Sequence, residues 1–152
     1  MTKPSNFRSE KGVELVEFAL ILPLLLLLCL GVIEFGRAYY TYNILTKAVR
    51  DGARYLSTGM VTSTGTVNST TTTETKNVVV YGNIAGTGTK KIPDLLTTQV
   101  NVPAATVVSG SEQYVTVSVT YPYVPMFRLV MPNLTLSPKV TMIFVGRVAF
   151  PS

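Results

Sequence analysis

The chain of 152 residues has no histidine and only one cysteine, Cys29. A disulfide within the chain is therefore excluded, and the paired His and Cys spacings of structural metal sites are missing. Carboxylates are scarce as well: beyond residue 56 the acidic residues are Glu74, Asp94 and Glu112, which stand far apart in the sequence. A nucleophilic or paired-carboxylate mechanism would lack its base or its second acid. We therefore expect no enzyme activity, no metal and no cofactor.

Charged residues make up only 14% of the chain, and the net charge is +5. The basic residues are scattered along the sequence, without the clustering on one face or along one helix that is typical of nucleic-acid-binding proteins. We therefore expect no nucleic-acid partner. Charge is absent altogether from one long stretch, residues 18–33.

This chargeless stretch is predicted to cross a membrane, since eight of its sixteen residues are leucine. As a helix it is about 24 Å long, and about 31 Å when counted from Val13, which matches a hydrocarbon core of about 30 Å. A cleaved secretory signal would end in a small-x-small processing site, whereas this run continues into a patterned helix. The sequence thus predicts one retained transmembrane segment. Pro23 inside it is expected to kink or loosen the helix without ending it.

Beyond the membrane segment, apolar and small residues recur at alternating spacings of four and three, which places them on one helical face. They are Ala38, Tyr42, Leu45, Val49, Gly52 and Leu56. The sequence therefore predicts a single helix from about Val13 to about Leu56, embedded in lipid first and amphipathic afterwards. Its second half is expected to pack on an outer domain.

Polar and aromatic residues mark the membrane exit. Glu34 and Arg37 are three residues apart, so they would pair across one helical turn, although the polarity expected at a membrane exit explains them equally. Tyr39, Tyr40 and Tyr42 fit an interfacial aromatic belt.

The remainder of the chain is predicted to contain an antiparallel sheet. Residues 57–76 are rich in threonine and serine, which favours a loop. Strand character is clearest at 113–121, where valines at every second position alternate with polar side chains. The predicted strands are 78–81, 99–108, 113–121 and 139–149. The predicted fold class is α+β: a long N-terminal transmembrane and amphipathic helix packed on a small antiparallel β-sheet domain.

The residues directly before the apolar run are a candidate processing and assembly signal, Gly-Val-Glu-Leu-Val-Glu-Phe at 12–18. If a peptidase cut after Gly12, Val13 would carry a charged α-amine, and Glu17 would lie about 6 Å farther along the helix. A carboxylate at the edge of hydrocarbon requires a cationic partner. A neighbouring helix staggered by about one turn would bring its α-amine to Glu17 and set a defined register. The alternative is that Glu17 simply meets lipid headgroups and water.

Gly12, Val13 and Glu17 match the class III signal of type IV pilins and pseudopilins, in which a short basic leader ends in glycine and glutamate is the fifth mature residue. More narrowly, several stretches resemble the TadE-like pseudopilins of tight-adherence (Tad, Flp-type) pilus systems. These stretches are 12–18, 34–40, 48–55 and, near the C-terminus, 115–123.

The resemblance implies a minor pilin-like component of a bacterial pilus assembly machine, without catalysis of its own. A prepilin peptidase would cut between Gly12 and Val13, and Glu17 would act in assembly. The other partners would be further pilins or pseudopilins, inner-membrane assembly proteins and the lipid bilayer. The protein would cross the inner membrane once, with its N-terminus in the cytoplasm and its C-terminal domain in the periplasm. The predicted division is a leader (1–12), a transmembrane helix (13–36), an amphipathic extension (37–56), a loop (57–76) and a periplasmic β-sheet domain (77–152).

The competing hypothesis is a single-span, membrane-anchored periplasmic binding protein that is not processed and never enters a filament. Both hypotheses share the span and the outer domain. Cleavage after Gly12 distinguishes them.

Overall fold

The computed structural model describes residues 7–62, 66–104, 107–109, 112–128 and 131–149. Its first element is a helix of 51 residues, α1 (Phe7–Ser57), which passes through Pro23 without interruption. The predicted helix from Val13 to Leu56 is confirmed, and it begins earlier in the chain than expected.

The two halves of α1 have different surroundings. Among the described residues, α1 is the one helix long and apolar enough to cross a membrane, and none of its most apolar 18-residue window is buried by the rest of the chain. The second half is covered along one face. The buried residues of that face are Ala38, Leu45, Ala48, Val49, Gly52, Ala53 and Leu56. Tyr42, predicted on the same face, is 41% exposed and lies at its edge.

A second helix, α2 (Ser69–Tyr81), lies where other structure was expected. The predicted loop at 57–76 is wrong at residues 60–62, which form a short strand, and from residue 69 onward; the predicted strand at 78–81 is wrong throughout. The proposed domain boundary between 76 and 77 falls inside this helix.

Local signals at both ends explain why this threonine-rich stretch is helical. The side chain of Asn68 accepts a hydrogen bond from the N–H of Thr70 at 3.1 Å, which caps the first turn. Gly82, with φ of 80°, ends the helix and donates its N–H to the carbonyl of Val78. Threonine hydroxyls inside the helix donate to carbonyls four residues earlier, so they compete little with the backbone ladder. Thr75 and other residues on the face towards α1 are buried.

The strands of the described residues are short, apart from β4. They are β1 (Met60–Thr62), β2 (Val100–Asn101), β3 (Val107–Ser109), β4 (Glu112–Val119), β5 (Tyr121–Tyr123), β6 (Leu134–Leu136), β7 (Lys139–Ile143) and β8 (Arg147–Ala149), with a 3₁₀ turn at Thr97–Gln99.

The main sheet is antiparallel and is centred on β4. One edge of β4 pairs with β7, in a register that sets Val117 opposite Val140. The other edge pairs with β2 near one end and β3 near the other. The predicted strand at 113–121 is confirmed, whereas the stretches predicted at 99–108 and 139–149 each contain two short strands. Two further pairs lie outside this sheet: β5 with β6, antiparallel, and β1 with β8, parallel.

The hydrophobic core lies between α1, α2 and the main sheet. Val115, Val117 and Val119 of β4 are fully buried, and the residues between them are partly exposed, as the predicted alternation requires. α1 packs on β4 and β7, and α2 packs on α1. The α+β fold class, with its long N-terminal helix and small antiparallel sheet, is confirmed.

Candidate functional site: the membrane helix and its exit

The predicted signal residues Gly12, Val13 and Glu17 all lie on the exposed first half of α1. A Cβ placed at Gly12 would meet no atom within 4 Å, and Val13 is 66% exposed. Within the described part of the chain, Glu17 has no hydrogen-bond or ion-pair partner. Cleavage after Gly12 and the pairing of Glu17 stay predictions.

Glu34 at the membrane exit is enclosed by the outer domain, with its side chain fully buried. Its Oε1 accepts a hydrogen bond from the hydroxyl of Tyr123 at 2.7 Å and from the backbone N–H of Met126 at 3.2 Å. Nη1 of Arg37 lies 3.1 Å from Oε1 and 3.2 Å from Oε2. The carboxylate therefore has three donors from two parts of the chain, and we call Glu34, Arg37, Tyr123 and Met126 the exit cluster.

The exit cluster satisfies a charge that burial would otherwise penalise. A buried carboxylate is tolerated when it is paired and hydrogen-bonded, and hydrogen bonds to a charged acceptor are among the stronger ones in proteins. Arg37 stays 45% exposed, and its guanidinium carbon lies 5.9 Å from the ring centre of Tyr123, within cation–π range. Burial, and next the hydrogen bond to Glu34, raise the pKa of Tyr123 to about 12. The Tyr123 hydroxyl therefore keeps its proton and donates a hydrogen bond to Glu34.

The sequence suggested only half of this cluster. The structure brings Glu34 and Arg37 together across one turn, as their spacing allows. Tyr123 and Met126 were missed, because they follow Glu34 by 89 and 92 residues and no local pattern links positions so far apart. The available signals were the aromatic and proline residues after the clearest strand and the family resemblance at 115–123, and neither points to Glu34.

Two polar contacts tie the other end of α1 to its neighbours. The hydroxyl of Tyr55 donates to Glu74 of α2 at 2.7 Å, and this hydrogen bond raises the pKa of Tyr55. Nζ of Lys91 lies 2.8 Å from the carboxylate of Asp51. α1 is thus fixed to the outer domain near both ends of its second half.

None of these groups forms a metal site within the described residues, where no set of three or more His, Cys, Asp or Glu side chains is gathered. Cys29 is exposed on the membrane half of α1.

Comparison with known families finds a match, and it covers the predicted signal residues as well as Glu34 and Arg37 of the exit cluster. The family model described as TadE-like protein matches residues 12–54. This segment is TadE-like. The match confirms the resemblance over residues 12–54, while the resemblance at 115–123 lies outside the matched residues and stays a prediction. No curated protein and no solved structure matches the chain significantly.

The TadE-like match has a direct functional consequence. A TadE-like segment implies an association with Tad pili, and the TadE-like family is a family of structural pilus components, not a known enzyme family. The TadE-like segment contains the candidate span, consistent with a single-pass membrane protein. Glu34 and Arg37 lie inside the segment, whereas Tyr123 and Met126 come from the domain beyond it.

Proposed function

We propose that this protein is a minor pilin-like subunit required for assembly of a tight-adherence (Flp-type) pilus and processed after Gly12 by a prepilin peptidase. It stands in the bacterial inner membrane with its N-terminus in the cytoplasm and its C-terminal domain in the periplasm. The observation that carries the proposal is the bare apolar half of α1, which bears Gly12 and Glu17 at its start and lies in the TadE-like match. Its partners are the peptidase, other pilins or pseudopilins, and inner-membrane assembly proteins.

Glu17 supplies the physical argument for assembly. It precedes sixteen chargeless residues, so it lies at the edge of the hydrocarbon when α1 spans a bilayer. No described residue of its own chain neutralises it, and an unpaired charge in that position is unfavourable. A processed neighbour offers the α-amine of its own Val13, which pairs with Glu17 when the two helices are staggered by about one turn. Such pairing favours lateral association in one register.

The decisive experiment measures the mature N-terminus. Intact mass and N-terminal sequencing of the membrane-extracted protein, from cells with and without the prepilin peptidase, should give a peptidase-dependent start at Val13. A chain that still begins near Met1 when the peptidase is active would contradict the proposal and support the unprocessed binding protein.

Gly12→Ala is expected to block this processing, and the structure provides a matched control. A Cβ meets no atom within 4 Å at either Gly12 or Gly36, so alanine fits both positions on the same helix. Gly36→Ala should leave processing unchanged. Because neither substitution disturbs packing, a loss confined to Gly12→Ala would reflect recognition by the peptidase, and equal processing of the two variants would count against Gly12 as the cleavage residue.

A further inference from the structure

The turn between β5 and β6 carries an exposed apolar surface beside the membrane exit. We define the hairpin tip as the described residues 124–128 and 131–134. Val124 is 54% exposed, Met126 is 69% exposed and Leu134 is 40% exposed. The N–H of Met131 bonds to the carbonyl of Phe127 at 3.2 Å, which closes the turn and holds these side chains on a defined loop.

The exit cluster fixes the position of the hairpin tip along α1. The N–H of Met126 and the hydroxyl of Tyr123 both donate to Glu34, the first charged residue after the chargeless run. Val124 lies one residue beyond Tyr123 and lines a hollow together with Arg37. The two hydrogen bonds to Glu34 therefore place the tip at the level of Glu34.

The face of α1 next to the hairpin is also apolar and exposed at this level. Phe35 is 67% exposed and Tyr39 is 62% exposed. A groove of about 160 Å³ between helix and hairpin has only apolar and aromatic side chains in its lining. These are Phe35, Ala38, Tyr39, Tyr42, Met131, Leu134 and Leu136. The apolar surface of the span thus continues onto the hairpin without a polar break.

We propose that the hairpin tip is a second membrane contact, seated in the headgroup region of the bilayer beside α1. Its occupant is phospholipid, because the tip is held at the boundary where a single span is surrounded by lipid, and its apolar surface is continuous with that span. Arg128, exposed on the same tip, is the residue type that extends to anionic headgroups while its neighbours contact acyl chains. Two membrane contacts, α1 and the tip, would fix the rotation of the outer domain relative to the bilayer. The inference requires that α1 spans a bilayer, and it does not depend on processing or on assembly.

The absence of tryptophan from the chain allows a direct test of depth. The full-length protein carrying Met126→Trp is reconstituted into vesicles of phosphatidylethanolamine and phosphatidylglycerol, with and without brominated phosphatidylcholine, which quenches tryptophan that lies within the bilayer. Val145→Trp is the matched control: Val145 is also an exposed apolar loop residue, at 79%, but its N–H bonds to the carbonyl of Ser57 at the far end of α1. Ser57 is 23 residues beyond Glu34, or about 35 Å along the helix. Phe35→Trp gives the reference quenching for a tryptophan on α1 beside Glu34, at the level of the membrane exit.

We expect blue-shifted emission and several-fold stronger quenching by brominated lipid for Met126→Trp than for Val145→Trp, at a level close to Phe35→Trp. If Met126→Trp does not retain the circular dichroism spectrum of the parent protein, Val124→Trp takes its place in the same measurement. If Met126→Trp were quenched no more strongly than Val145→Trp, the proposal would be overturned. Blue-shifted but unquenched emission from Met126→Trp would overturn it as well, because it would mean that another protein surface covers the tip. If Phe35→Trp were unquenched as well, α1 would not span the vesicle bilayer, and the proposed function would fail with this inference. Quenched Phe35→Trp with unquenched Met126→Trp would overturn this inference alone.

Discussion

Glu34 lies where the membrane half of the protein ends and the folded half begins, and its contacts join the two. Its carboxylate is buried, whereas its charged partner Arg37 remains half exposed. The hydroxyl of Tyr123 is the nearest donor to this carboxylate, at 2.7 Å, and the N–H of Met126 adds a second contact from the same hairpin, at 3.2 Å. The exit cluster is a joint between α1 and the β5–β6 hairpin.

Tyr123→Phe tests this joint at the level of one hydroxyl group. It removes the 2.7 Å hydrogen bond to Glu34 but keeps the ring under Arg37, so we expect Tm near neutral pH to fall by several degrees with little change in secondary structure. The measurement is thermal unfolding of the detergent-solubilised protein by circular dichroism. Tyr39→Phe is the control, because Tyr39 is 62% exposed and its hydroxyl should matter little. An equal change in Tm for both variants would mean that the hydroxyl of Tyr123 does not stabilise the joint.

Tyr123→Phe should also change how the stability of the protein depends on pH. A tyrosine has a pKa of about 10 in an unfolded chain, and that of Tyr123 is raised to about 12 in the folded protein. The folded state therefore holds this proton more tightly, so the stability it contributes is complete below about pH 10 and is lost as pH rises through about 12. Tyr123→Phe should accordingly lose less stability between pH 10 and 12 than the parent protein does. A parallel decline for the two proteins in alkaline unfolding curves would contradict the raised pKa.

Single residues also show what the sequence can and cannot reveal about the site. Glycine followed by glutamate at the fifth position is a local pattern, so Gly12 and Glu17 could be singled out without a structure. The burial of Glu34 depends on a hairpin that follows it by about 90 residues. That contact is set by tertiary packing, which local spacing does not encode.

Among the elements, α2 shows how caps and packing outweigh intrinsic preference. Threonine is a weak helix former, and a run of four favoured a loop. The Asn68 cap, the left-handed Gly82 and burial against α1 reverse that preference over Ser69–Tyr81. α1 and β4 were predictable for the opposite reason, since their apolar residues repeat at the helical and strand periods over many positions.

Gly52 marks the close approach of the two helices, and Gly52→Ala tests it. A Cβ at this position would overlap the side chain of Val79 and lie 3.6 Å from the carbonyl oxygen of Thr75. Overpacking of this kind costs about 1–3 kcal/mol, against about 1 kcal/mol gained in helix propensity. We expect a net loss of up to about 2 kcal/mol in the free energy of unfolding, measured by chemical denaturation.

Gly36→Ala is the matched control on the same helix, since a Cβ there meets no atom within 4 Å. It should be neutral or stabilising by up to about 1 kcal/mol, because only the propensity gain remains. If Gly52→Ala were as stable as Gly36→Ala, α1 and α2 would not pack as closely as described.

In the molecule as a whole, one uninterrupted helix lies in two environments, the membrane and the folded domain. Its first half exposes leucine to the surroundings, and its second half buries small and branched residues under α2 and the sheet. The folded domain therefore stands directly on the membrane segment, and the exit cluster stiffens the connection. No loop separates the span from the domain, because α1 is continuous from Phe7 to Ser57.

Glu17→Ala tests membrane insertion and pilus assembly separately, the two roles of the first half of α1 in the proposed function. The substitution removes a charge but keeps the apolar length, so membrane insertion should be intact or slightly improved. Assembly should be abolished, because the neighbour's α-amine loses the carboxylate that sets the register. Membrane fractionation measures the first effect, and counts of pili per cell with surface adherence measure the second. Glu14→Ala is the control: Glu14 lies three residues nearer the end of the helix, within reach of headgroups, and its loss should matter less. Normal piliation with Glu17→Ala would show that charge pairing at this position does not direct assembly, whatever the state of the N-terminus.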